Sequence, residues 1–296
     1  MYDGCGKIYE HNKENNMNCN THISFYDLPV LLPVINFIND DPTNKGRYLL
    51  LVETYNISPQ NYDTSKWKQY KGIITWNRRL YSMHRRRFNM HLIPQFPYMK
   101  KTLVDPSKLV SYEEKLGDVS LMCRYREKSE IEFDITHLRY EAMNELNKHM
   151  HNCHTYGKIE YGGDMYKGAI GYNEQETEPS SASKIIMLNK YKFNICFENC
   201  YHDVWSYDYI TEKIYDCFAA KTIPIYYGCY NTKGTIPQEL FIDYRNFNST
   251  EDLVEHLNKI SPEEYNEIVD IALDWYTKNF NPNIWLDKVN EICSEK

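Results

Sequence analysis

The chain predicts an α/β architecture built on parallel strands, and three features lead there. The first is Tyr191–Gly228, YKFNICFENCYHDVWSYDYITEKIYDCFAAKTIPIYYG, which reads as strand, polar loop, helix, strand. The second is RYLLLVE (Arg47–Glu53), an apolar run ending on a carboxylate, as a buried strand does at its edge. The third is size: 296 residues with 42% hydrophobic content can fill one large or two modest α/β cores.

Within the first feature, Lys192–Phe197 mixes aromatic and β-branched residues and stops at Glu198-Asn199, groups that prefer water or a ligand to a core. Thr211 is placed to cap a helix whose first turn holds Glu212 and Lys213, with Ile210, Ile214, Cys217 and Phe218 on one apolar face. Lys221 and Thr222 turn the chain into Ile223–Tyr227, a short buried strand stopped by Gly228. Parallel strands joined through a helix cross over right-handedly, and their ligands sit beyond the carboxyl ends of the strands, beside helix N-termini. Glu198, Asn199, Tyr209, Glu212 and Lys213 all fall there.

Composition excludes several classes. A net charge of −7 argues against a nucleic-acid binder. The longest apolar run, Leu28–Ile38, is interrupted by Pro29, Pro33 and Asn36 and is too short to span a bilayer, and no secretory leader is expected ahead of it. Nine cysteines, an odd number without a CxxC pair, suit reduced thiols in a cytoplasm better than a disulfide framework. Neither GxGxxG nor GxxxxGK[ST] occurs, which removes the dinucleotide oxidoreductases and P-loop enzymes.

Taken in order, residues 1–20 carry no motif. Glu53 closes the RYLLLVE strand; read alone, it is an ordinary solvated glutamate. KGIITW (Lys71–Trp76) is a second short strand, followed by Arg78, Arg79 and the His84–Arg87 run, either a solvated face or an anion contact. Val104–Glu114 turns polar and reads as a linker, placing a boundary near residue 110. Val119–Tyr125 is then a strand and Thr136–Met150 an amphipathic helix with Arg139 in its first turn. An arginine there opposes the helix dipole unless an anion is present; the alternative is a surface pair with Glu141 or Asp134. His149, His151, Cys153 and His154 match no closed zinc pattern, and no metal site is assigned. Lys158–Ser183 reads as a loop near a ligand, Ser183–Asn189 as helix, and Ser249 or Thr250 and Ser261 open two further capped helices. A last helix covers Ile284–Cys293.

FEN (Phe197–Asn199), DYITEK (Asp208–Lys213), IPIYYG (Ile223–Gly228) and PQELFIDYRNF (Pro237–Phe247) together resemble the signature of the α1,3/4-fucosyltransferases, glycosyltransferase family 10. The likeness runs from Arg139 to Phe247. A weaker one reaches back to Glu53, through Val52-Glu53 followed by Ser58-Pro59. The resemblance implies the GT-B fold: two Rossmann-like domains facing a cleft, here residues 1–110 on the acceptor side and 111–296 on the donor side. The first would be reduced, because only 52 residues precede Glu53. The last helix would pack back on it.

The resemblance also implies inverting transfer of L-fucose from GDP-fucose to a hydroxyl of an oligosaccharide, with an α1,3-type linkage. Arg139 and Lys213 would meet the diphosphate, Glu212 the ribose, and Asn199 and Tyr209 phosphate or sugar oxygens, while Glu198 orients the loop. Glu53 would be the general base, on the acceptor side and away from the leaving phosphate. Arg78 and Arg79 are candidates for contact with acceptor or donor. Asp-x-Asp, the divalent-cation motif of the other major glycosyltransferase fold, is absent, so protein cations are expected to replace an essential metal. A different donor or acceptor within the family, or a sugar-nucleotide or glycan binding module without turnover, are the alternatives. Family members of eukaryotes are usually anchored in the Golgi membrane, so a trimmed chain would belong to the Golgi lumen; otherwise the cytoplasm is expected.

Overall fold

The computed structural model describes residues 35–36, 48–94, 101–123, 128–157, 162–169 and 181–294. The chain divides into two compact units, one of residues 1–97, 203–209 and 283–296, the other of residues 98–202 and 210–282. The first division falls ahead of residue 110 because the polar stretch 101–115 is fastened to the second unit. There Lys101 Nζ donates to the Thr277 and Phe280 carbonyls, and Val110 N to Asn189 Oδ1.

The first unit is a four-stranded parallel sheet in the order β1 (Ile35–Asn36), β2 (Tyr48–Leu51), β3 (Gly72–Thr75), β4 (Met90–Leu92). All four residues of β2 are buried, the signature of a parallel strand covered on both faces. The strand ends at Leu51, so Glu53 stands in the bend beyond it and not at the last rung. Two 3-10 turns, Pro59–Tyr62 and Trp67–Gln69, connect β2 to β3 where a full crossover would place a helix, and their Tyr62 and Trp67 fill the core beside Leu49, Leu51 and Ile73. The charged run after β3 is a helix, α1 (Arg78–His84), because Asn77 caps it by accepting from Leu80 N at 2.8 Å and buries Leu80 against that core. The C-terminal helix Ile284–Ser294 belongs to this unit, with its Ile292 carbonyl accepting from Tyr48 Oη at 3.3 Å. Residues 1–20 and most of the Leu28–Ile38 run lie outside the described residues.

The second unit is a five-stranded parallel sheet built from β5 (Gly117–Met122), α2 (Leu138–Leu146), β6 (His154–Tyr156), α3 (Ser181–Asn189), β7 (Tyr191–Phe197), α4 (Glu212–Ala219), β8 (Ile223–Tyr227) and β9 (Ile242–Asp243). Two capped helices follow, α5 (Thr250–Lys259) and α6 (Pro262–Asn279). Ser249 and Ser261 accept from Asp252 N and Glu264 N, as the sequence predicts. Strand order is β6-β5-β7-β8-β9, so the chain leaves β5 to one side and returns on the other. The reversal falls between β5 and β7, and their carboxyl ends frame the crevice where open α/β sheets take ligands. Strand β7 is buried except at Lys192, matching its central place. Val119, Phe193, Ile195 and Ile225 of the strands pack with Met143, Leu253 and Val269 of the helices in one core.

Within the loop region 158–183, residues 158–161 and 170–180 lie outside the described residues, as do 124–127 after β5. The histidines near Cys153 go to separate partners: His149 lies 3.7 Å from Glu251, and His154 Nδ1 2.8 Å from Tyr191 Oη. Among the described residues no group of three His, Cys, Asp or Glu is arranged for a metal, no cysteine is in a disulfide, and no helix is long and apolar enough to cross a membrane.

Gly228 is set by close approach: a Cβ there would lie 2.3 Å from Cγ and 2.5 Å from Cβ of Glu198. Gly228→Ala is therefore expected to cost about 1–3 kcal/mol by overpacking, read as a lowered thermal midpoint. Gly234→Ala, whose nearest neighbour is Asn231 Nδ2 at 3.9 Å, should stay near wild type.

Candidate functional site

In the second unit the carboxyl end of β7 meets the start of α4, and a buried carboxylate organises both. Glu198 is fully buried; its backbone N–H donates to the Tyr227 carbonyl at 2.8 Å, extending the β7–β8 ladder by one residue. Its carboxylate accepts from Thr211 N at 2.8 Å, from Thr211 Oγ1 at 2.8 and 3.0 Å, and from Lys213 Nζ at 3.0 Å. Thr211 occupies the N-cap position of α4, but its hydroxyl does not cap the helix as expected. It donates to Glu198 and accepts from Lys213 Nζ at 2.8 Å, because a buried carboxylate is the stronger acceptor to satisfy.

Lys213 is thereby held with its ammonium at the first turn of α4. Burial weighs against its charge, but Glu198 and Glu212 outweigh that and raise its pKa above the ordinary lysine value; the Arg139 guanidinium pulls the other way. Glu212, half exposed, follows the same logic with opposite sign: burial pushes its carboxyl up, yet Lys213 and Lys184 more than offset it and bring the pKa to about 2. Lys184 on α3 is itself tied to Asp216 on α4 at 2.7 Å.

Arg139 sits on the second residue of α2 and is only 4% exposed, so it is not a surface arginine paired with Glu141 or Asp134. Its Nε donates to the Phe197 carbonyl at 3.0 Å and an Nη to Asn199 Oδ1 at 2.8 Å. Both acceptors are neutral. A buried guanidinium held by neutral oxygens, close enough to Lys213 to repel it, is a site that an anion would relieve. Arg139, Lys213 and Lys184 share a small pocket with Cys123 and Phe197 at the carboxyl ends of β5 and β7.

In the first unit the candidate base is held by three aromatic side chains. Trp76 Nε1 donates to the Val52 carbonyl at 2.8 Å and Tyr62 Oη to the Glu53 carbonyl at 2.5 Å. Tyr209 Oη donates to Glu53 Oε2 at 3.0 Å. Tyr209, expected among the donor contacts, lies in the seven-residue segment 203–209 that groups with the first unit. Asn77 Nδ2 donates to the Val204 carbonyl at 2.7 Å, and Trp205 stacks on Tyr55 with centroids 4.9 Å apart. Arg78 forks onto Asp208 at 2.6 and 2.8 Å, and Arg79 lies 3.8 Å from Asp203 and over the Tyr207 ring. Both arginines proposed for acceptor or donor contact thus engage this segment.

The sequence reading missed the segment's attachment, the structural work of Trp76 and Tyr62, and the Lys184–Asp216 pair. A signal existed for the first: Trp205 and Tyr207 in a loop read as polar are side chains that seek a packing surface.

Two α/β units with wholly parallel sheets, one carrying a cationic crevice at its switch point, give a fold of the GT-B type. The family model described as glycosyltransferase family 10 (fucosyltransferase) C-term matches residues 129–293, more than half of the chain. The chain belongs to glycosyltransferase family 10. It is 34% identical over 100 residues to the alpha-(1,3)-fucosyltransferase FucT of Helicobacter pylori, a match covering 33% of this chain and 19% of that protein. It is 30% identical over 152 residues to 4-galactosyl-N-acetylglucosaminide 3-alpha-L-fucosyltransferase 9 of Mus musculus, covering 50% of this chain and 35% of that one. The matches therefore span only a minority of these relatives' length. The crystal structure of TarM superposes with a TM-score of 0.56 over 84% of this chain and 50% of TarM at 11% identity, a likeness of fold. Glu53 lies outside the residues that the family model matches.

The depressed pKa of Glu212 has a testable sign. Its folded value lies below the ordinary carboxyl value of 4.5, so its contribution to stability is present above that pH and is lost as pH falls toward about 2. Between about pH 5 and 3, wild type should lose more stability than Glu212→Gln. Discounted for exposure, the difference is about 0.5–1 kcal/mol, measurable by chemical denaturation at each pH.

Proposed function

We propose that the chain is an inverting glycosyltransferase that moves L-fucose from GDP-fucose to a hydroxyl of a glycan acceptor, with an α1,3-type linkage. The observation that carries the donor half is Arg139, a buried cation with neutral hydrogen-bond acceptors, beside Lys213 at the switch point of a parallel sheet. A diphosphate supplies the missing anion and leaves with a second negative charge to be stabilised. Arg139 and Lys213 meet that charge, aided by the positive end of α4. Glu212, ionised throughout the neutral range, accepts from the ribose hydroxyls. The family membership and the names of the fucosyltransferase relatives support fucose as the sugar.

In the transfer step the acceptor oxygen forms a bond to the anomeric carbon as the bond from that carbon to the diphosphate oxygen breaks. The acceptor's proton passes to Glu53, and the bonding electrons depart with the nucleoside diphosphate. Attack opposite the leaving group inverts the anomeric centre. With Arg139 and Lys213 serving the diphosphate, we propose that transfer needs no divalent cation.

Three outcomes test this reading. Glu53→Gln should lower kcat by roughly 10²- to 10⁴-fold, the contribution of a positioned base, with GDP affinity nearly unchanged; near-native turnover would remove Glu53 from the chemistry. GDP should raise the thermal midpoint well beyond UDP, and Arg139→Met should abolish that rise while leaving the apo midpoint equal or higher, since a buried charge without a counter-ion is replaced by an apolar side chain. Activity should survive EDTA; complete loss restored by manganese or magnesium would reject the metal-free mechanism.

A further inference from the structure

We propose that the turn of residues 85–88, with Met83 one helical turn before it, is a docking surface of the first unit for an anionic lipid membrane. Sequence alone leaves the run 84–87 open between a solvated face and an anion contact. The fold places it away from the proposed transfer chemistry. Helix α1 leaves the carboxyl end of β3 and returns to the amino end of β4, so residues 85–88 are the turn that enters β4. Asn89 fixes it there: its carbonyl accepts from Ile73 N at 2.8 Å, and its Nδ2 donates to the Lys71 carbonyl at 2.9 Å. Glu53 stands beyond the opposite, carboxyl end of the same sheet. The turn therefore serves no acceptor hydroxyl at Glu53.

Arg85, Arg86 and Arg87 are all exposed, and among the described residues none of the three has a carboxylate partner. Other exposed cations of this chain are balanced. Lys148, Lys259 and Lys278 each pair with a carboxylate three or four residues earlier, at 2.6 to 2.8 Å. The helix dipole accounts for one cation at the end of α1, where the Tyr81 carbonyl accepts from Arg85 N, but three like charges in succession repel one another. Lys68 adds to them: it follows Trp67, whose ring packs edge-on against His84 and Phe88 on either side of the arginines. Asp63, the acid of that loop, accepts from Ser65 and feels the Lys66 charge. His84 registers the imbalance, since burial first and Arg87 second hold its imidazole below the ordinary histidine pKa.

What the turn presents matches a lipid surface. The Arg85 guanidinium lies 5.8 Å from the Tyr81 ring centroid and that of Arg87 5.2 Å from the Phe88 ring, so both stems rest on aromatic faces. A guanidinium so held has N–H donors to fork onto a headgroup phosphate. Met83 is 56% exposed, while Leu80 of the same helix fills the core. Phe88 N donates to the His84 carbonyl at 3.0 Å and continues the helical path, so Met83 stands one turn before Arg86 and Arg87. An apolar tip flanked by unbalanced cations is the pattern of segments that enter the headgroup layer of an anionic bilayer. Three successive exposed residues form an edge, which a membrane accommodates and which offers a peptide no groove. Contact of this kind is peripheral and reversible and needs no membrane-spanning helix.

The test is flotation of the full chain with vesicles of phosphatidylcholine alone or mixed with phosphatidylglycerol, at low and high salt. The expected result is binding to the mixed vesicles only, weakened as salt rises. Arg85→Gln, Arg86→Gln and Arg87→Gln together should weaken that binding roughly 10- to 100-fold, the range for three basic residues near an anionic surface. Lys148→Gln, Lys259→Gln and Lys278→Gln together should leave it unchanged. Met83→Ser should weaken binding and Met83→Trp strengthen it, with thermal midpoints close to native throughout, since all these side chains are exposed. The readout is binding, so the proposal stands or falls apart from the transfer reaction. Binding to neither vesicle, equal binding to both, or binding that the triple arginine variant retains would overturn it. Tighter capture of a polyglutamate peptide than of the mixed vesicles, lost in the triple arginine variant, would also overturn it and assign the turn to an acidic protein.

Discussion

The carboxylate of Glu198 is the interaction on which the cationic crevice of the second unit depends. Buried at the end of the central strand, it must be neutralised and hydrogen-bonded, and Thr211 and Lys213 do both. Removing one partner of such a pair costs roughly 3–5 kcal/mol. The same contacts join residues 13 and 15 positions apart in sequence, so one clasp closes the loop between β7 and α4 and fixes the ammonium of Lys213. Gly228 permits the arrangement by leaving the space that Glu198 Cβ and Cγ occupy. Orienting a loop and charging a site are here one act.

The loop closed in this way has a second duty. Between Glu198 and Thr211 the chain contributes residues 203–209 to the other unit, where they are fastened by Asn77, Arg78 and Tyr55. A single connection therefore leads to Lys213 at one side and carries Tyr209, which donates to Glu53, at the other. The aromatic residues that hold Val52 and Glu53 do so through hydrogen bonds from ring N–H and O–H groups while their rings pack, which combines stiffness with direction.

Much of the second unit was legible because local rules and tertiary needs coincide there. The βαβ unit from Tyr191 to Gly228, and the helices opened by Ser249 and Ser261, follow from periodicity, buried-strand composition and serine caps. What escaped reading depends on groups distant in sequence. Thr211 looks like a cap, and only the buried Glu198 redirects its hydroxyl. Arg78 and Arg79 look like a free basic face, and only the segment 203–209 explains them, since Asp208 and Tyr207 lie some 130 positions away. Tyr209 stands in the middle of a family motif, yet its hydroxyl donates to Glu53, 156 residues earlier. The helix over Arg78–His84 was hidden because its apolar face is little more than Leu80 and its start rests on the Asn77 cap.

The central claim is that a carboxylate in the first unit and two cations in the second carry out inverting transfer from a guanosine diphosphate sugar. The most direct measurement incubates the full chain with GDP-fucose and a β-galactosyl-N-acetylglucosamine acceptor in EDTA, follows released GDP, and reads the anomeric configuration of the joined fucose by NMR. The account predicts GDP release matched by product whose anomeric centre is opposite to that of the donor; a product that retains the donor's configuration, or release from UDP-sugars in preference to GDP-fucose, would contradict it.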